Sequence, residues 1–143
     1  MLEELYQEEI LRLAKSVPFG EVENPTHVGS VSNSTCGDSC NVSLLVEQGN
    51  ITKIGGIYSG CVIMKASAAT MVSLLSDSKQ NQAASFITEV LDFLLGEKTE
   101  PPSQPLILFR QLHRYPVRVK CATLPWHAMQ NAIQSNGQNE LKE

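Results

Sequence analysis

The sequence predicts an α+β fold in which a small three-stranded antiparallel sheet has helices packed on one of its faces. Strand patterns separated by turn residues are confined to residues 22–58, and helix patterns precede and follow them. A sheet followed by a run of helices is typical of an α+β domain. The sequence contains no internal repeat.

The length and composition indicate one domain. The chain has 143 residues, of which 42% are hydrophobic and 18% charged, and this is the size and balance of a globular domain with a single core. We expect that domain to occupy residues 1–143, with residues 134–143 as a polar, frayed tail. The net charge of −4 means that nucleic acid is not an expected partner.

No segment is expected to enter a membrane, because the longest apolar stretches are far shorter than the roughly 20 residues needed to cross a bilayer. The amino end is acidic where a secretory signal would be basic, which predicts a cytoplasmic protein. In that reducing compartment, the four cysteines are expected to bind metal or take part in chemistry rather than to form disulfides.

The first helix is predicted over residues 2–17, where apolar side chains recur at steps of three and four with charged residues between them. It should end near Pro18 and Gly20. Residues 21–35 are rich in Asn, Pro, Gly, Ser and Thr, which indicates a loop that encloses one short strand.

A β-hairpin is predicted next. Residues 42–46 alternate as a strand does, Gln48-Gly49-Asn50 supplies turn chemistry, and residues 51–58 resume a β-rich run. Helix-forming residues after Gly60 then predict three helices, at residues 66–75, 83–94 and 117–133, with a proline-rich connection (97–105) and a short apolar segment (106–112) before the last.

Four residues at element boundaries form a candidate metal site: Cys36, Asp38, Cys61 and Cys121. Three thiolates and one carboxylate make a tetrahedral set suited to zinc, and Gly37 would permit the tight turn that lets Cys36 and Asp38 bind one ion. The three cysteines lie 25 and 60 residues apart, which does not match a paired zinc-finger motif. The alternative is that they are buried free cysteines that pack as small apolar side chains.

The surroundings of two of these cysteines favour thiolates. Cys61 would open a helix, and Cys121 would lie in the first turns of another, beside Lys120 and near Arg118. A helix amino end and cationic neighbours lower the pKa of a thiol, so both cysteines are expected to be good ligands and good nucleophiles.

Three segments together carry a family resemblance: residues 33–38, 60–68 and 115–126. The third contains Arg-x-Lys-Cys-Ala-Thr-Leu-x-Trp at residues 118–126. In these segments the chain resembles the IscU/SufU/NifU N-terminal family of iron–sulfur cluster assembly proteins, and its SufU branch in particular. Scaffold-type IscU proteins have His where this chain has Lys120, and a shorter span between the cysteines that match Cys61 and Cys121.

This resemblance implies the IscU fold, also described as SufE/NifU-like, and one zinc ion bound by Cys36, Asp38, Cys61 and Cys121. It implies a SufS-type pyridoxal-phosphate cysteine desulfurase as partner, from whose persulfide Cys36 accepts sulfur, with further cluster assembly proteins downstream. Zinc would keep the acceptor thiolate deprotonated and protected until the partner docks.

Cys40, Arg118 and Lys120 are further candidates. Cys40 is an addition relative to the family; in an extended strand it would point to the same side as Asp38, as a spare ligand, a resolving thiol or a small buried side chain. Arg118 and Lys120 are candidates for partner binding. Arg118 would pair with an acidic group on the desulfurase or stay solvated, and Lys120 would offset the excess negative charge around the zinc ion.

Three functions fit the sequence. The leading hypothesis is a zinc-dependent sulfurtransferase in iron–sulfur cluster biogenesis, with Cys36 as the persulfide acceptor. The second is a scaffold on which a transient iron–sulfur cluster is assembled by the same side chains. The third is a structural zinc-binding domain.

Overall fold

The computed structural model describes residues 2–33 and 37–135, with the side chains of residues 2–5 excepted. It confirms the predicted α+β class, a three-stranded antiparallel sheet with helices. The elements in chain order are α1 (Leu2–Ser16), β1 (His27–Asn33), β2 (Asp38–Glu47), β3 (Asn50–Ser59), α2 (Val62–Leu75), α3 (Gln80–Leu94), two 3₁₀ helices (Gln104–Phe109 and Leu112–Arg114) and α4 (Pro116–Gln134). Within this described part, no helix is both long and apolar enough to cross a membrane.

The strands lie in the order β1-β2-β3, each antiparallel to the next. The short strand predicted within residues 21–35 is β1, and the predicted hairpin is β2 and β3. Gln48 and Gly49 join the hairpin with φ angles of 54° and 81°, as the two left-handed positions of a type I′ turn require. β2 begins at Asp38, earlier than predicted, because pairing with β1, and from Ser39 onward also with β3, outweighs the poor strand propensity of Asp, Ser and Asn.

Helices cover one face of the sheet. α4 packs across β1 and β2, and α2 packs on both α1 and α4. The side chains of Cys40, Val42 and Leu44 alternate toward this face, and each is at most 1% exposed. Gly29 of β1 permits the close approach of α4, since a Cβ at that position would lie 2.3 Å from the Ala132 nitrogen.

The segment after α1 covers part of the opposite face. Gly20 and Gly56 exchange two backbone hydrogen bonds of 2.8 and 2.9 Å at the outer edge of β3. The Val22 N–H then donates to the Ser43 hydroxyl at 2.9 Å. These bonds shield this stretch of the β3 edge from pairing with another strand.

The last three α-helices begin one to four residues earlier than predicted, at Val62, Gln80 and Pro116. Polar or β-branched residues in a first turn carry little helix signal of their own. Proline suits the first position of α4, because its ring presets φ and the missing N–H has no helical acceptor there. The short apolar segment predicted over residues 106–112 forms the two 3₁₀ helices.

A buried hydrogen-bond chain joins α2 to α4. The Ser67 hydroxyl donates to the Ala122 carbonyl at 2.7 Å and accepts from the Trp126 indole N–H at 2.9 Å. Both side chains are fully buried. Because Cys61 directly precedes α2 and Cys121 lies in α4, these hydrogen bonds hold together the two helices nearest the candidate metal ligands.

We expect Ser67→Ala to lower the free energy of unfolding by about 1–3 kcal/mol, because it leaves the buried Trp126 N–H without an acceptor. The control Ser73→Ala removes an exposed hydroxyl from the same helix and should change that free energy by less than about 0.5 kcal/mol. Urea unfolding of both variants, followed by circular dichroism, measures the difference. Equal effects of the two substitutions would contradict the expectation.

Cys40 and Tyr58 face each other across β2 and β3. Burial raises the pKa of the Cys40 thiol to about 12. Burial, with a smaller contribution from Cys40, also raises the pKa of the Tyr58 phenol. The phenol oxygen has no hydrogen-bond partner among the described residues. Both groups are therefore neutral at physiological pH and belong to the core.

The buried Cys40 thiol should make stability depend on pH. Its pKa rises from an ordinary 9.0 to about 12, so the stabilisation of the neutral form is complete below pH 9 and is lost as the pH rises toward 12. Between pH 8 and pH 10, the wild type should lose about 1.4 kcal/mol of unfolding free energy through this group. Cys40→Ala should lack that loss.

Urea unfolding of the metal-free proteins at both pH values measures the difference. The remaining thiols and phenols titrate in both proteins, so their contribution cancels when the two pH dependences are compared. The same pH dependence in the wild type and in Cys40→Ala would show that the folded protein admits the Cys40 thiolate.

Candidate metal centre

Asp38 is the first residue of β2 and pairs with Asn33 of β1. Its side chain is 6% exposed. It points to the same face of the sheet as Cys40, as the alternation of a strand requires. A carboxylate buried at the end of a strand is costly unless a proton donor or a cation compensates it, so Asp38 is the first indication of a binding site.

Gly60 provides the space in which the Asp38 carboxylate lies. It ends the connection from β3 with a φ of +155°, and a Cβ at this position would lie 2.5 Å from Cγ and 2.6 Å from Oδ1 of Asp38. Any other residue would displace the carboxylate. The sequence does not predict this role of Gly60, because its only signal there is a glycine directly before a candidate ligand at a strand-to-helix joint.

The two described cysteines of the site belong to helix starts. Cys61 follows Gly60 and is the N-cap residue of α2, in an extended conformation and half-buried. Cys121 lies in the second turn of α4 and is 5% exposed. The expectation that both cysteines lie at the start of a helix is confirmed.

Asp38, Cys61 and Cys121 converge. One carboxylate oxygen and the two sulfur atoms all lie within 4.8 Å of one another, and no other group of three or more His, Cys, Asp or Glu side chains in the described ranges does so. The Cys121 thiol donates a hydrogen bond to Oδ2 of Asp38 at 3.3 Å. A strand, a strand-to-helix joint and a helix thus each contribute one side chain to the same point.

The sequence-based expectation that the pKa of Cys121 is lowered was wrong. Burial raises the pKa of this thiol, and its contacts with Cys61 and Asp38 raise it further. Arg118 and Lys120 are exposed on the surface of α4, whereas Cys121 points inward toward groups that become anionic. Its thiol is therefore protonated when no cation is present.

This donor set fits a zinc ion. Two sulfur ligands and one carboxylate oxygen are a usual combination for zinc, and tetrahedral coordination leaves one further position. Three groups that each ionise to an anion are held together in a largely buried place, and a divalent cation would compensate their charge. Asp38, Cys61 and Cys121 are thus the described residues that could hold the ion.

Cys36, predicted as the fourth ligand and the sulfur acceptor, lies outside the described residues, and both roles stay predictions. The predicted turn at Gly37 is present. Gly37 has a φ of +75°, and its N–H donates to the Asn33 carbonyl at 2.8 Å. Cys36 therefore directly precedes a left-handed turn that leads into Asp38.

Cys40 is fully buried and does not join the group formed by Asp38, Cys61 and Cys121. This location favours the interpretation of Cys40 as a small core side chain.

The Arg118 guanidinium carbon lies 4.8 Å from the centre of the Tyr115 ring. Within the described part of the chain, Arg118 makes no ion pair, and its role in partner binding stays a prediction, as does that of Lys120.

Known proteins resemble this chain over most of its length. It is 31% identical over 131 residues to the iron–sulfur cluster assembly scaffold protein IscU of Thermotoga maritima, and the alignment covers 90% of this chain and 92% of that protein. It is 25% identical over 134 residues to the zinc-dependent sulfurtransferase SufU of Bacillus subtilis, and this alignment covers 92% of this chain and 91% of that protein.

A solved structure and a family model agree with these relatives. The crystal structure of a proposed iron–sulfur cluster assembly scaffold protein of the SUF system, from Fervidobacterium islandicum, superposes with a TM-score of 0.82 at 27% identity, over 89% of this chain and 95% of that one. Residues 5–142 match the model of the NifU-like N terminal domain. The chain therefore belongs to the NifU-like N-terminal domain family, and its relatives include one named as an IscU scaffold protein of iron–sulfur cluster assembly and one named as a zinc-dependent sulfurtransferase SufU.

Proposed function

We propose that this protein is a zinc-dependent sulfurtransferase in iron–sulfur cluster biogenesis, which accepts persulfide sulfur from a SufS-type cysteine desulfurase on Cys36. The observation that carries the proposal is the grouping of Asp38, Cys61 and Cys121 within 4.8 Å. A relative at 25% identity is named a zinc-dependent sulfurtransferase. Lys120 adds support, since the resemblance to the SufU branch includes a lysine before the last cysteine.

Asp38, Cys61 and Cys121 would hold the zinc ion together with Cys36. A bound zinc ion keeps ligand thiols deprotonated and has no redox chemistry of its own. The three described ligands belong to packed elements, so the core holds their positions. Cys36 lies between β1 and β2 in the sequence, and as the proposed sulfur acceptor it would be the ligand that leaves when the partner docks.

In the proposed reaction, the Cys36 thiolate attacks the terminal sulfur of the persulfide on the desulfurase. A sulfur–sulfur bond forms on Cys36 as the one on the desulfurase breaks, and the desulfurase cysteine leaves as a thiolate. The terminal sulfur moves without net oxidation or reduction, so no further oxidant is required. Cys36 then delivers this sulfur to downstream assembly proteins, in the reducing cytoplasm where free thiols persist.

A scaffold on which an iron–sulfur cluster is assembled is the second candidate. It is favoured by the 31% identity to a protein named as an IscU scaffold. Cysteine thiolates are also the usual ligands of iron–sulfur clusters. The two candidates therefore share a ligand set and differ in what it carries.

The sulfur acceptor is tested by Cys36→Ser. Zinc-loaded wild type, mixed with a SufS-type desulfurase, cysteine and little reductant, should accelerate desulfurase turnover and carry a persulfide on Cys36. Cys36→Ser should lose both effects because it has no thiolate for the attack. The control Cys40→Ala removes a buried thiol outside the site and should keep both. Alanine production and intact-mass spectrometry are the measurements.

Retained acceleration by Cys36→Ser would remove this residue from the acceptor role. No acceleration by the wild type, together with a stable cluster after addition of iron and sulfide, would favour the scaffold. Neither activity, with unfolding when the metal is stripped, would identify a structural zinc domain.

The zinc site is tested by Gly60→Ala. The added Cβ would collide with the Asp38 carboxylate, so zinc affinity should fall by about 10- to 100-fold. The control Gly49→Ala places alanine at another positive φ with open space around it, in the hairpin turn. It should also strain the backbone, but it adds no contact with the site, so zinc affinity should be unchanged.

Competition with a chromophoric chelator measures zinc affinity, and native mass spectrometry counts the bound ions, which should number one per chain. Equal affinities for Gly60→Ala and the wild type would show that Asp38 is not a ligand. Equal losses in Gly60→Ala and Gly49→Ala would show that backbone strain alone is responsible.

A further inference from the structure

Charge is unevenly distributed along this acidic chain. Residues 101–139 contain no Asp or Glu, although they include Arg110, Arg114, Arg118 and Lys120. The rest of the chain has seven Lys and Arg against fifteen Asp and Glu, a net charge of −8. Four of the eleven Lys and Arg residues therefore lie within an eleven-residue stretch that has no Asp or Glu.

These four cations are exposed, and none of them forms an ion pair with a described side chain. Each has an exposed side chain, and the ion pairs among the described residues, Arg12 with Glu9 and Lys98 with Asp92, involve none of them. The start of α4 adds to this positive potential, because its first turn contains no acidic residue and its amino end has no side-chain cap.

Exposed apolar side chains lie among these cations. Tyr115 is 50% exposed and Val117 is 67% exposed. The Arg118 guanidinium lies over the Tyr115 ring, with its carbon 4.8 Å from the ring centre. This contact covers part of the ring, while the guanidinium charge still faces solvent. Large exposed apolar residues ringed by cations are typical of a protein-binding surface.

The part of this exposed surface that lies on α4 is next to the metal centre. Val117 precedes Cys121 by four residues in α4, so the two side chains are neighbours on one face of the helix. Arg118 precedes Cys121 by three residues and flanks that face. A partner bound here would be adjacent to the metal ligands.

We propose that Arg110, Arg114, Tyr115, Val117, Arg118 and Lys120, termed the basic strip, form the docking surface for an acidic patch on the sulfur-donating desulfurase. This inference rests on the proposed function. The cations steer the acidic patch during encounter, and the Tyr115–Arg118 pair with Val117 provides the aromatic and arginine contacts that dominate interface affinity. The six residues lie within eleven consecutive positions that lead from the 3₁₀ helices into α4, so one interface patch can cover them.

The test is the double charge reversal Arg110→Glu/Arg114→Glu, which leaves the residues next to Cys121 intact. The control Lys53→Glu/Lys79→Glu reverses two exposed lysines away from the strip and changes the net charge equally. Both variants are zinc-loaded, and their zinc content and melting temperatures are compared with the wild type. The partner is a SufS-type desulfurase, and binding is measured by isothermal titration calorimetry between about 20 and 300 mM NaCl.

Wild type and control should bind with affinities that fall as salt rises, since screening shortens the reach of the cations. The strip variant should bind at least about tenfold more weakly at low salt and should lose most of the salt dependence. In turnover assays, it should require proportionally more protein for half-maximal acceleration and reach the same maximal rate.

Equal binding of the strip variant and the control would overturn the inference, as would absence of any binding by the wild type. Loss confined to a salt-sensitive self-association, with desulfurase binding unchanged, would reassign the strip to a second copy of this chain and also overturn it. Salt-sensitive binding through the strip without acceleration of turnover would leave the docking surface standing and refute the sulfurtransferase proposal instead.

Discussion

The close approach of Asp38, Cys61 and Cys121 is an electrostatic constraint that the packing of the whole fold has to satisfy. It places three groups that can each become an anion within 4.8 Å of one another, in a largely buried position. Such an arrangement is unfavourable unless a proton or a cation is shared among the groups. In the protein without metal, the Cys121 proton is shared with Asp38. The remainder of the fold has to supply the free energy that holds the three elements together.

The packing shows where that free energy comes from. The Ser67 hydroxyl satisfies two polar groups of α4 and so links it to α2. Gly29 lets β1 lie against the backbone of α4. These contacts lie away from the ligands and contain no ionisable group, so they hold the metal centre in place whether the site is protonated or carries an ion.

Much of this arrangement could be predicted from the sequence. Helix periodicity, strand alternation and turn residues identify the α+β class, and the location of Asp38, Cys61 and Cys121 at element boundaries predicts their convergence. The pKa of Cys121 could not be predicted in this way. Arg118 and Lys120 are close to Cys121 in sequence, but their side chains are exposed to solvent, and the pKa is set by burial and by groups from distant segments.

Gly60 shows the same limit. A glycine beside a candidate ligand has several ordinary explanations, and only the tertiary contact with the Asp38 carboxylate selects one of them. The early start of β2 also depends on tertiary pairing, because the polar residues there are poor strand formers by themselves. Local patterns predict elements well, whereas contacts between distant segments determine the chemistry of the site.

The ligand set alone does not distinguish sulfur transfer from cluster assembly, because relatives named for each activity resemble this chain over similar lengths. Thiolate and carboxylate ligands accept zinc or iron according to what is delivered. The distinction therefore has to lie in which partner reaches the site. α4 connects the docking surface with the metal site, since it carries Cys121 on its inner face and the end of the basic strip on its surface. A partner held by Val117 and Arg118 contacts the helix turn that precedes the ligand, so recognition and chemistry share one packed element.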